Sequence, residues 1–209
     1  MKQFALGLVG LACVAGAAHA DIVTITATGE VFFNGINSGP LGAVNGGEIA
    51  TLTFTVDSNT FVEDVPGDVR AYAINHASFT LSFSGGTSVG LSNNSATPNF
   101  GVIDGFPVSD GFFVSEHTAS PGGVQLSHEP YNLDLSLGYV GETLDSLDIL
   151  DAIGTYEFDG LTRYSMNIWS VFPDNVAMGM DFSQMTITPA PASMALLGLG
   201  GLVANRRRR

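Results

Sequence analysis

A hydrophobic period of two constrains this chain more than any other feature. Leu52, Phe54 and Val56 alternate with Thr51, Thr53 and Thr55, and Ala77, Phe79, Leu81 and Phe83 with Ser78, Thr80, Ser82 and Ser84. Tyr131, Leu133, Leu135, Leu137 and Tyr139 are interleaved with Asn132, Asp134, Ser136 and Gly138 in the same way. Successive side chains of a strand point to opposite faces, so each run predicts a strand with one buried and one wet face. Further strands are expected over residues 22–33, 111–115, 164–171 and 175–188. In the last, apolar positions change parity between Phe182 and Met185, the mark of a bulge or of a change of sheet.

Segments rich in Gly, Asn, Ser and Pro separate these runs, at 34–47, 58–68, 84–99 and 120–123. Strands at such intervals predict a mainly β chain, folded as an antiparallel β-sandwich of jelly-roll-like topology. Residues 141–153 alone carry a spacing of three, at Leu144, Leu147 and Leu150, which suits either a helix or a loop with one turn. No internal repeat and no second domain is evident.

The two ends depart from this pattern. Lys2, an apolar stretch over 4–17 and the small residues Ala18 and Ala20 before Asp21 have the form of a secretory signal peptide cleaved after Ala20. Cys13 falls inside that stretch, so the exported chain is expected to fold without disulfides. At the other end, Pro189-Ala190-Pro191 leads into an apolar run from Ala192 through Leu196, Leu197, Leu199, Leu202 and Val203 to Ala204. Asn205 and the cations Arg206, Arg207, Arg208 and Arg209 follow. The prolines are expected to break the preceding fold. As a helix the run spans about 20 Å against a hydrocarbon core of roughly 30 Å, which suits a transient hold in a membrane better than a permanent one. The arginines would stay on the cytoplasmic side.

This arrangement resembles the bacterial PEP-CTERM sorting signal, a Pro-Glu-Pro motif followed by a hydrophobic helix and an arginine cluster. Ala190 stands where that family has its acid. The resemblance is confined to the terminal segment and implies recognition by exosortase, a membrane cysteine transpeptidase, with export to the cell surface or exopolysaccharide matrix. The organisation expected is a signal peptide over 1–20, an acidic β-sandwich over 21–187 and a sorting or anchoring segment over 188–209. A signal helix and a hydrophobic helix would then flank the sandwich.

All twenty acidic residues lie between Asp21 and Asp181, where only Arg70 and Arg163 oppose them, giving that stretch a formal charge of −18. Nucleic acid and anionic lipid are poor partners for such a surface. Solubility, repulsion from like-charged polysaccharide and binding of divalent cations are compatible with it.

Residues with the spacing of a catalytic site are sparse. The sequence has no Gly-x-Ser-x-Gly elbow and no His-Glu-x-x-His pair, and His76, His117 and His128 are scattered singly. Asp57-Ser58-Asn59 opens like a calcium loop with Asp68 at the twelfth position. Phe61 and Val62, however, take the places of an oxygen donor and a glycine. Asp57, Glu63, Asp64 and Asp68 remain candidates for a weak calcium site in an irregular loop, and calcium is the one cofactor considered. Trp169 is the only tryptophan, and Tyr131, Tyr139 and Tyr164 are expected in or near the core, which leaves a glycan-cleaving cleft without an aromatic lining. Thr24, Thr26 and Thr28, like Thr51, Thr53 and Thr55, share one strand face each. Ice binding would need a flat, regular array of them. Without a repeat to extend it, they read as the wet faces of ordinary strands.

The function expected is that of an exported, non-enzymatic surface or extracellular-matrix protein, sorted and cleaved through its tail. Its partners would be the secretion machinery, an exosortase-like transpeptidase, the membrane through the C-terminal helix, and extracellular polysaccharide. The alternative is a secreted glycan-binding module or glycan-active enzyme carrying the same tail. No catalytic or cofactor-binding residue is assigned.

Overall fold

A computed structural model describes residues 21–65, 67–94, 96–105, 109–117, 122–141, 143–170 and 177–190. The strands are β1 (Ile22–Asn34), β2 (Ile49–Val65), β3 (Val69–Ile74), β4 (Thr80–Phe83), β5 (Ser88–Val89), β6 (Asn99–Ile103), β7 (Asp110–Ser115), β8 (Val124–Gln125), β9 (Asn132–Tyr139), β10 (Gly154–Glu157), β11 (Leu161–Trp169) and β12 (Ala177–Pro189). Among the described residues the only helices are two 3-10 turns, Leu41–Ala43 and His76–Ser78.

Pairing runs β1-β12-β11-β9-β7-β6-β3-β2 and returns from β2 to β1, which closes an eight-stranded antiparallel barrel. The sandwich expected from sequence is thereby corrected: the sheet closes on itself instead of splitting into two layers. Two long strands make the closure. One edge of β2 pairs with β1 from Ile49 to Asp57, while the other takes β4 at Ala50–Thr53 and β3 at Val56 and again from Phe61 onward. Similarly, β12 holds β1 along one edge and divides the other between β10 and β11. Alternation cannot tell a sandwich from a barrel, since both bury one face of each strand. The parity change in β12 is a bulge: Thr28 faces Gln184 and Gly29 faces Phe182, leaving Ser183 unpaired in that ladder.

The signal helix and the C-terminal hydrophobic helix expected to flank the domain fall outside the described residues. Among the described residues no helix is long and apolar enough to cross a membrane. The signal-peptide residues Ala18 and Ala20 lie outside the described residues, as do Pro191, Ala192, Leu196, Leu197, Leu199, Leu202, Val203 and Arg206 to Arg209. Pro189 does not break the fold before it. It is the last residue of β12, opposite Val23, and the Ala190 N–H still donates to Ile22 O at 2.8 Å. Proline is tolerated there because it ends the ladder.

An eight-stranded barrel is just wide enough for side chains to fill it. Here the filling is aromatic. Phe54 meets Phe79 at 6.0 Å and Phe100 at 5.5 Å, Phe100 stacks on Phe112 at 5.7 Å, and Phe112 meets the edge of Tyr156 at 4.6 Å, with Tyr139 next at 5.9 Å. Residues 143–153 form a loop with one turn, the second of the two expectations, and seat Leu144, Leu147, Ile149 and Ala152 in the core. Two polar groups pin this loop. The Tyr72 hydroxyl donates to Leu147 O and accepts from Ile149 N, while Asp110, 2% exposed, accepts from Gly105, Thr143 and Leu144 N–H groups. A buried carboxylate is stable only with such donors. Outward positions are mostly polar, the reverse of a barrel whose apolar band faces lipid.

Candidate functional site

Closure brings threonines from separate stretches of sequence onto one outer wall. In β1, Val23, Ile25 and Ala27 point into the core, which leaves Thr24, Thr26 and Thr28 outside; Leu52, Phe54 and Val56 do the same for Thr51, Thr53 and Thr55. The registers align them. Thr24, Thr26 and Thr28 face Thr55, Thr53 and Thr51 on β2, and face Thr188, Thr186 and Gln184 on β12. Thr53 continues to Thr80 on β4 and Thr186 to Thr155 on β10, so one row reads Thr80, Thr53, Thr26, Thr186, Thr155 across five strands. The threonines that looked like ordinary wet faces in the sequence are thus joined by strand pairing instead of by a sequence repeat. Both register shifts in the β1–β12 ladder lie beyond Thr28, outside this block.

Four of the eight threonine hydroxyls on β1, β2 and β12 in this block make internal hydrogen bonds. Thr26 Oγ1 and Thr53 Oγ1 are 3.5 Å apart, Thr55 donates to Ser78 Oγ at 2.9 Å and Thr28 to Gln184 O at 3.4 Å. β-Branching restricts χ1, so methyl and hydroxyl positions are held in place before anything binds.

A second surface lies where β11 parts from β12. The two strands pair only through residues 167–169 and 177–179, and β10 takes the β12 edge from Gln184 onward. Tyr164 emerges at the gap, 37% exposed, with its hydroxyl donating to Asp181 Oδ1 at 3.2 Å and its ring 5.5 Å from Phe158, itself 55% exposed. Tyr131 and Tyr139 are buried as expected; Tyr164 is not. On the outer face of β9 and β11, Ser165 donates to Asp134 Oδ2 at 2.6 Å and receives Asn167 Nδ2, while Asp134 Oδ1 is buried and lacks a hydrogen bond. Desolvation raises the Asp134 pKa above the ordinary carboxylate value, against the lowering effect of the Ser165 bond.

Two of the calcium candidates, Asp57 and Glu63, have separate partners. Asp57, inside the register break of β2, accepts from Asn59 N–H at Oδ1, and Glu63, beyond it, pairs with Arg70, whose guanidinium lies 4.2 Å over the Phe61 ring. Asp64 lies on β2 and Asp68 in the turn before β3. Among the described residues no group of three or more His, Cys, Asp or Glu could hold a metal ion. The histidines stay apart in role: His117 is exposed, His128 stacks on Tyr131 at 5.1 Å, and His76 Nε2 lies 3.0 Å from Ser92 O. Glu129 accepts from Ser92 Oγ, but His76 meets the backbone carbonyl of that serine and so cannot act on its hydroxyl as a base.

Sequence reasoning singled out the threonines of β1 and β2 but missed Thr80, Thr155, Thr186 and Thr188, because alignment across strands is a property of register and not of local pattern. No protein-family model matches the chain, and neither a curated protein nor a solved structure does.

Proposed function

We propose that this is an exported, non-enzymatic surface or matrix protein, an acidic barrel delivered through a carboxy-terminal sorting segment of the PEP-CTERM kind. The observation that supports this reading is where the barrel's ladder stops. Ile22 and Ala190 are hydrogen-bonded neighbours at one rim, immediately inside the two expected cleavage sites. Cutting after Ala20 and near Pro191 would therefore remove no residue that pairs in the β1–β12 ladder. The charge of −18 suits a body that stays hydrated and dispersed outside the cell.

Intact-mass analysis of the protein from cytosolic, membrane and extracellular fractions tests the reading. The expected species begins at Asp21, ends between Pro189 and Ala192, and is found outside the cytosol. A cytosolic protein with both ends intact would overturn it. The exposed Phe158–Tyr164 pair beside Asp181 favours a second reading, a secreted glycan-binding module, because sugars stack on exposed rings next to a hydrogen-bonding carboxylate. Glycan-array binding lost in Tyr164→Ala is its expected signature.

A further inference from the structure

We propose that the threonine wall formed by β2, β1 and β12 is a binding face for crystalline water, so that the protein adsorbs to ice. The proposal goes beyond the reading of export and stands independently of it. It rests on strand register and, Thr188 apart, uses no residue of the terminal segment.

Three observations carry it. The first is the lattice. Eight of the nine positions in the block of Thr24, Thr26, Thr28, Thr51, Thr53, Thr55, Gln184, Thr186 and Thr188 are threonine, with Gln184 the exception. Paired strands lie about 4.8 Å apart and same-face residues about 6.8 Å apart along a strand. Both distances approximate oxygen repeats on the faces of hexagonal ice. The second is charge: the block contains no ionisable group, although the surrounding chain carries twenty acids. A charged ligand has nothing to pair with there, and a neutral, periodic one does. The third is rigidity. Core residues back every threonine, pairing across β1–β2 is unbroken from Ile22 to Glu30, and β1–β12 is unbroken from Val23 to Thr28.

Ordered water held between fixed methyl and hydroxyl groups loses little further entropy on joining a crystal. Sheet twist of about 20–25° per strand confines close registry to the three central strands. A stacked polysaccharide chain is the less favoured occupant, because none of the nine positions is aromatic.

The test uses purified, fluorescently labelled protein and slowly growing single crystals of ice, with an equally acidic globular protein as control. Incorporation of this protein and rejection of the control are expected. Thr26→Tyr with Thr53→Tyr should abolish incorporation while circular dichroism and the melting temperature stay unchanged. Thr188→Tyr at an exposed position serves as a second variant should the double substitution disturb folding. Rejection of the wild type by ice overturns the proposal, as does incorporation unaffected by well-folded variants. Pull-down on insoluble cellulose or chitin that needs the same threonines, without ice incorporation, overturns it in favour of a glycan surface.

Discussion

The wall of β2, β1 and β12 and the wall of β3, β6 and β7 belong to the same barrel but are built differently. On the first, inward apolar residues alternate with outward threonines, and β1 keeps its register with β2 from Ile22 to Glu30 and with β12 from Val23 to Thr28. On the second, both faces of β6 and β7 are buried at every position of Asn99–Ile103 and Asp110–Ser115, β3 is half-buried only at Arg70 and Ala73, and Val69, Ile103 and Phe113 form a small cluster apart from the main core. The first wall spends its outward face on solvent. The second uses both faces for packing, so stability should concentrate there and surface function on the other.

Substitutions on each wall test this contrast. The largest effect is expected from Phe112→Ala, which removes the ring linking Phe100 to Tyr156 and should cost about 3–5 kcal/mol in denaturant unfolding. Asp110→Ala strands three backbone donors of the buried wall and its loop, and should cost about 3 kcal/mol with faster hydrogen exchange at Thr143 and Leu144. Alkaline pH acts on the core beside that wall, through Tyr139 of β9 and Tyr156 of β10. Burial pushes the hydroxyls of Tyr139 and Tyr156 up to about 12 from 10.0. The unfolded chain ionises first, so the stability they contribute is full below pH 10 and is lost as pH rises toward 12, which thermal melts followed by tyrosinate absorbance would show. Thr53→Val on the outer wall should change stability by less than about 0.5 kcal/mol. A loss there as large as at Phe112 would erase the distinction between the walls.

The same contrast explains what could be read in the sequence. β1, β7, β9, β11 and β12 lie close to where alternation or β-branched runs put them, and the β12 bulge was visible as a slip of parity. β4 is shorter than its alternation implied, because Asn75 accepts from Ala77 N–H and starts a 3-10 turn that leaves Ala77 exposed. β3 and β6 escaped notice because strands buried on both sides show no alternation, and because Gly101 is small to admit the Phe113 ring, which a Cβ there would approach to 2.2 Å. β2 runs on through residues rich in Ser, Asn and Asp that read as a turn, since its pairing with β3 resumes only at Phe61. Barrel closure, and with it the five-strand threonine row, depends on which strands meet. Periodicity along one strand does not encode that.

The hydrogen bond between Ala190 and Ile22 has a mechanical consequence. Because the first and last strands are antiparallel neighbours whose ends lie together, tension applied between Asp21 and Ala190 would open their ladder one rung at a time, like a zip, instead of loading all rungs at once. Single-molecule pulling from these two points should yield at low force, whereas attachment through either end alone leaves the closed ring unloaded.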